Sequence, residues 1–328
     1  MQLQERWALR CAALLWLALL GSAAHAQFSG FPGTVVRFAT LEQGQAVLGA
    51  ADEWLPLTSE FQRASTMRRH PPVSLETFRQ FSASAVLAWS EPQQQRWRSA
   101  LERLAPKFAA LNVPLPPEVL LISTNGDDAA NAPYTRANAV ILPAGGLPNH
   151  AAADVFVLAH ELFHVVSRHA PELASRLYAT IGFEPAAPLQ WPDAWLLARI
   201  TNPDAPYDRH LMRTSFQGRP VALMPLLMAG RTDLKPGESV FSVMEVRLLE
   251  VTAGEGGRPT LPVLAGNQPV WHAPADVPDY MARLGGNTAY ILHPEETIAD
   301  NFSFVVLDAP APNRELLQRI EAVLRAPR

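Results

Sequence analysis

His160-Glu161-Leu162-Phe163-His164 is the stretch of this chain whose residue types and spacing could do chemistry. Two histidines at i and i+4 share one face of a helix, one turn apart. Both imidazoles can then point at a single metal ion. The intervening Glu161 falls beside that ion, where it could take a proton from a bound water. The chemistry open to such a set is metal-assisted hydrolysis, and zinc is the expected ion.

The flanks predict the helix that this reading needs. Pro148-Asn149-His150 is turn-like, and Asn149 is a candidate cap. The run Ala151–Ala159 is rich in alanine, with an early Asp154 suited to the positive end of a helix. Val155, Leu158, Leu162, Val165 and Val166 form an apolar stripe at spacings of three and four. Pro171 limits the segment, which sets the helix at about 150 to about 169.

Two histidines are too few for such a site, which needs a third protein ligand and an open position for water. A third histidine six residues after His164 is excluded, because Ala170 stands there, Ser167 replaces the glycine that such a turn requires, and His169 comes one residue early. Far downstream, His293-Pro294-Glu295-Glu296 reads as a helix start, with proline in the first turn followed by acids. Glu296 and Asp300 are i and i+4 and share a face. One carboxylate could bind the ion, and the other could accept the N–H of a ligating imidazole. Glu295 is the rival ligand, but its i+4 residue is Ala299.

HExxH followed by ExxxD resembles the gluzincins, the thermolysin-like zinc metallopeptidases. The resemblance covers these two short segments. It implies that His160, His164 and Glu296 hold one zinc per chain, that Glu161 is the general base, and that Asp300 supports a ligand histidine. It implies an α+β, zincin-like catalytic domain, with the HExxH helix behind a small sheet. It also implies a peptide or protein substrate whose backbone pairs with the last strand before that helix, making Asn138 and Ala139 candidate contacts. Well over a hundred residues separate the motifs. That is far more than in thermolysin, so the cleft could be rebuilt or covered.

A donor for the developing oxyanion is also expected. No Tyr or His follows Glu296, so the donor must come from earlier in the chain. Tyr290 is the first choice because it immediately precedes the second motif; Tyr207 and His210 are the alternatives.

Composition sets the surroundings. Arg6 and Arg10 precede the apolar run Cys11–Leu20, and Ala24-His25-Ala26 is a cleavage-site pattern. Residues 1–26 therefore read as a secretory signal peptide, and the run is too short to span a membrane. The protein is expected in the periplasm or medium, with no stable membrane anchor after cleavage. Cys11 is the only cysteine, so the mature chain would have no disulfide. Losing Arg6, Arg10 and Glu5 takes the formal charge from −4 to about −5. That argues against nucleic acid or an anionic membrane as partner.

The remaining chain, 27–328, reads as one catalytic domain. A short strand is expected at 35–40 and a mainly helical region at about 59–111. In that region Ser74 opens one helix and Pro92 the next. Strands follow at 118–123 and 137–142. Beyond the metal helix come a helix at 171–182, a loop at 200–206 and a hairpin spanning 210–215 and 220–227. Residues 239–251 fit either strand or helix. The stretch of about 171–290 between the motifs is thus a structured insertion, and a last helix starts at Asn313 with Leu316, Ile320 and Leu324 inward. A second class of function stays open: a zincin-fold binding or processing factor that keeps zinc but has little peptidase activity.

Overall fold

A computed structural model describes residues 27–69, 72–145, 147, 150–235 and 237–327. The expected signal, residues 1–26, and the expected cap Asn149 lie outside the described residues.

The chain opens with a hairpin of β1 (Gln27–Phe31) and β2 (Thr34–Phe38). α1 (Leu41–Leu48) is held at its start by a reciprocal Thr40–Gln43 cap. α2 (Glu60–Thr66), α3 (Leu75–Ser84) and α4 (Glu91–Ala110) occupy the region expected to be helical, with Ser74 capping α3 and Pro92 in the first turn of α4. β3 (Val86–Leu87) lies between α3 and α4. Next come β4 (Glu118–Thr124), β5 (Tyr134–Arg136) and β6 (Ala139–Pro143).

These six strands form one mixed sheet in the order β1-β2-β4-β6-β5, with β3 on the free end of β4. β2, β4 and β6 run parallel; β1 and β5 are antiparallel edges. Both faces are covered, which explains the unbroken apolar run of β4. Val119 and Leu121 enter the main core with Val140 and Leu142. Leu120 and Ile122 enter a smaller cluster on the opposite face with Leu48 and Val86.

α5 (Ala151–His169) and α6 (Pro171–Ala179) follow the sheet. A second, antiparallel sheet is then built from the stretch between the motifs. Its strands are β7 (Phe183–Pro185), β8 (His210–Phe216), β9 (Arg219–Ala229), β10 (Met244–Thr252) and β11 (Leu261–Pro262). They are ordered β11-β10-β9-β8-β7. A small pair, β12 (Leu264–Ala265) with β13 (Gln268–Pro269), precedes β14 (Trp271–His272), which joins β10. The ambiguous 239–251 stretch is thus a short 3₁₀ turn and then a strand.

α7 (Pro278–Leu284), α8 (Pro294–Leu307) and α9 (Arg314–Arg325) end the fold. Asn313 caps α9, and Leu316, Ile320 and Leu324 are its buried stripe. One apolar cluster runs from Val36 in the first sheet through α4, α5 and α8 to Met212 and Leu248 in the second. The molecule is therefore mixed α+β, with α5 and α8 at its centre. Among the described residues no helix is long and apolar enough to cross a membrane.

Candidate metal centre

α5 owes its position to a two-sided character. Val155, Leu158, Leu162 and Val166 pack into the core, while His160, Glu161 and His164 are buried on the side that meets α8. The helix start is fixed by His150, whose Nδ1 accepts from Ala152 N at 3.3 Å, and by Asp154, which accepts from Arg96 Nε at 2.8 Å. α8 begins at His293, whose Nδ1 accepts from Glu295 N at 3.1 Å. Its apolar anchor is Phe302, packed against Phe163 of α5 at 5.2 Å between ring centroids.

This packing brings together the residues that the two motifs singled out. Glu296 Oε2 lies 3.1 Å from His160 Nε2 and 3.6 Å from His164 Nε2. Ligand-capable atoms of these three side chains all lie within 4.8 Å of one another. Asp300 Oδ1 sits 2.8 Å from His160 Nδ1, and Thr288 donates to its other oxygen. Both acids thus meet the first histidine from one helix face, four residues apart.

Glu295 has a different place from the rival ligand position that its sequence allowed. Its Oε1 lies 2.7 Å from His164 Nδ1 and accepts from Ser167 Oγ at 2.6 Å. Its Oε2 accepts from Tyr178. Glu295 is therefore to His164 what Asp300 is to His160. A carboxylate accepts the Nδ1–H of each ring, so a neutral ring keeps its lone pair on Nε2.

With both rings neutral, two lone pairs and a carboxylate would face one another in a buried space and repel; a proton on a ring or a metal ion among them relieves this. His164 Nε2 has no hydrogen-bond partner among the described residues. Burial works against charging His164, but Asp204, Glu296 and Glu295 outweigh it and raise its pKa to about 9. His160 is likewise raised well above an ordinary imidazole, against its own burial, by Asp300 and Glu296. Burial opposes ionising Glu296, yet His164 and His160 hold it down to about 2. The set could hold a cation. Two imidazoles and one carboxylate, with both imidazoles oriented by further carboxylates, fit zinc.

Glu161 is buried, and its Oε2 has no partner among the described residues. Burial and then Asp204 raise its pKa to about 8. A divalent charge at the neighbouring donors would work in the opposite direction. Tyr290 lies with its ring 5.9 Å from that of His160. Although 41% of Tyr290 is exposed, desolvation around its hydroxyl, then Glu296, Asp204 and Glu161, push the pKa above the ordinary phenol, so it stays a donor at neutral pH. The alternatives fall elsewhere. Tyr207 lies under the Arg209 guanidinium at 4.5 Å, and His210 stands against Tyr178 and His293 at 4.9 and 5.8 Å.

One expectation is overturned. Asn138 and Ala139 do not line an exposed strand edge. β5 folds back through the two-residue turn Ala137-Asn138 and becomes the edge itself, leaving β6 between β4 and β5. Ala139 is fully buried, and the Asn138 amide donates to Glu118 O at 2.9 Å.

Sequence reasoning also missed the segment Asn202-Pro203-Asp204, which read only as loop. Asn202 donates to Glu296 Oε1. Asp204 Oδ1 accepts from Thr135 N of β5 at 2.7 Å and from Thr135 Oγ1 at 2.5 Å. Arg168 Nη2 donates to Pro203 O at 2.8 Å and to Asp204 O at 3.2 Å. The only signal in the sequence was a short polar loop in a long insertion, and nothing in its composition points at α8.

No protein-family model, curated protein or solved structure matches this chain.

Proposed function

We propose that this chain is an exported, zinc-dependent hydrolase, similar to the gluzincin metallopeptidases, that cleaves an amide bond in a peptide or protein. His160, His164 and Glu296 would hold the ion. Zinc bound there would supply a Lewis acid that polarises a carbonyl and makes water more acidic near neutral pH. The observation that carries the reading is the convergence of His160 Nε2, His164 Nε2 and Glu296 Oε2, with a carboxylate behind each imidazole.

The remaining roles follow from what the other side chains can do. Glu161 has a free oxygen to accept a proton from water and return it to the leaving amine. Tyr290 donates its hydroxyl hydrogen toward the oxygen that becomes negative. Asp300 and Glu295 keep the two rings turned, with their Nε2 atoms inward. Asn202 holds the second oxygen of Glu296.

A second reading draws on one observation. Asn202 and Asp204 bridge from the ligand helix to the sheet edge beside Glu161, where a polypeptide substrate would lie. A protein so covered could hold zinc as a binding or processing factor with little peptidase activity. Metal analysis and a peptide library separate the two. The hydrolase reading expects one zinc per chain and cleavage that chelator abolishes; zinc without cleavage of any peptide leaves the binding factor.

A further inference from the structure

The edge strand beside the site is closed to added strands. β5 has three residues, and in an antiparallel pair alternate residues turn their N–H and C=O away from the partner. Arg136 and Ala139 close the two-residue turn, so Thr135, opposite Val140, is the residue that faces outward. Its amide is the one outward donor on this edge, and Asp204 already takes it. Arg168 fastens the same segment by its contacts to Thr135 Oγ1, Pro203 O and Asp204 O. At its start, Thr201 exchanges hydrogen bonds with Gln62 and accepts from the Trp54 indole at 2.9 Å. Main-chain pairing, which gives affinity to an extended peptide, has no free donor there.

A different space adjoins the site. A cavity of about 120 Å³ is lined in part by Tyr290, Asn202 and Asp204. Its walls are mostly apolar, from Trp54, Ile200, Leu227, Val240, Met244 and Leu292. Trp54 precedes α2, Ile200, Leu227, Val240 and Met244 belong to the stretch between the motifs, and Leu292 directly precedes the second motif. Of its polar side chains, Gln62, Ser65 and Thr66 bond to backbone groups of the protein; Arg68, Asp127 and Asp128 also line it, with Asp128 held by the Tyr134 hydroxyl at 2.6 Å. An apolar cavity of about 150 Å³ holds one benzene ring, so this smaller one suits a group of about leucine size.

From these two features we infer that the substrate is a short amide, a chain end or single-residue derivative. Its one large apolar group fills the cavity beside Tyr290, and it is not a polypeptide laid along β5. The inference rests on the hydrolase reading and narrows its substrate class. Specificity comes from side-chain burial in place of backbone pairing.

The test uses the full mature protein loaded with zinc, with hydroxamates as probes and calorimetry as readout. A hydroxamate bearing an isobutyl group should bind at least about tenfold tighter than acetohydroxamate. Extending that probe by four residues should change affinity by less than about threefold. Ala132→Phe, which adds a ring to the cavity wall, should remove the isobutyl advantage. Asp204→Ala, which frees the Thr135 amide, should make the extended probe the tighter one. An extended probe that binds better to the native protein, or an isobutyl group that adds nothing, overturns the inference. A metal-independent measurement separates it from the zinc reading. In chelator-treated native protein, N-acetyl-leucinamide should shift the Met244 methyl NMR signal and acetamide should not. Failure to bind zinc with the Met244 shift intact sinks the hydrolase reading alone. No shift, with zinc bound, sinks the substrate inference alone.

Discussion

Glu295 and Glu296 are sequence neighbours with opposite surroundings, and the difference decides what each can do. Successive helix positions are rotated by roughly 100°, so Glu296 faces the Nε2 atoms while Glu295 reaches His164 Nδ1, Ser167 and Tyr178. On the proposed reading, Glu296→Ala removes a ligand, and zinc retention by metal analysis should be largely lost. Glu295→Ala and Asp300→Ala leave the three donors in place and should each weaken zinc affinity by roughly 10–100-fold. Equal losses in all three variants would contradict this division of roles. Glu161→Gln keeps volume and hydrogen bonding but cannot accept a proton at neutral pH. It should fold, retain zinc, and lose at least about 100-fold in hydrolysis of any substrate the native protein cuts. Full activity in that variant would remove the proposed base.

The proposed ligand set depends on two helices being locked at one crossing. Phe302 of α8 is fully buried, 5.2 Å from Phe163 of α5 and 5.5 Å from Phe108 of α4. Phe302→Ala should cost about 3–5 kcal/mol in urea unfolding. It should also weaken zinc binding without touching a ligand. Unchanged zinc affinity would mean that α8 is positioned from elsewhere. Sequence made these helices legible because both carry local signals: an alanine-rich apolar stripe for α5, a proline and acids at the start of α8. It also placed Glu296 and Asp300 on one face, because i and i+4 on one helix is a local rule, but did not say which histidine Asp300 meets; the fold gives His160. It missed β5, which has three residues and merges with β6 through a turn that uses Ala137 at φ 51° and no glycine. It left β10 undecided because Leu248, Leu249, Glu250 and Val251 are all buried. Leu248 enters one core and Leu249 and Val251 another, while Glu250 is paired with Arg219 and His272, so no alternation shows. The Asn202–Asp204 contacts were illegible for a different reason. They join residues remote in sequence, and only the fold brings them together.

At the scale of the whole molecule, the inserted sheet and α8 meet across two histidines, His293 buried and His210 half-buried, and that junction should set part of the response to acid. His293 caps α8 and His210 begins β8, with their rings 5.8 Å apart. Burial and then His210 lower the pKa of His293 to about 3; burial lowers that of His210 to about 4. Both are neutral in the folded protein where an unfolded histidine, near 6.5, is already protonated. The unfolded chain therefore binds more protons as pH falls below about 6.5, and folding stability falls with it. Each histidine contributes up to about 1.4 kcal/mol per pH unit, ending near about 4 for His210 and about 3 for His293. Other groups act in overlapping windows with the opposite sign. The raised His164 favours folding below about 6.5 and loses that contribution as pH rises through about 9. Glu161 does the same from about 4.5 up through about 8. The measurement is therefore a difference: urea midpoints from pH 7 to pH 4.5, with chelator present, for the native chain and for His293→Asn with His210→Gln. Asn can still cap α8, so the helix start survives the change. The double variant should lose stability less steeply over that window. An identical slope would mean that the sheet and the ligand helix do not meet across neutral imidazoles, and that acid unfolds the protein from another place.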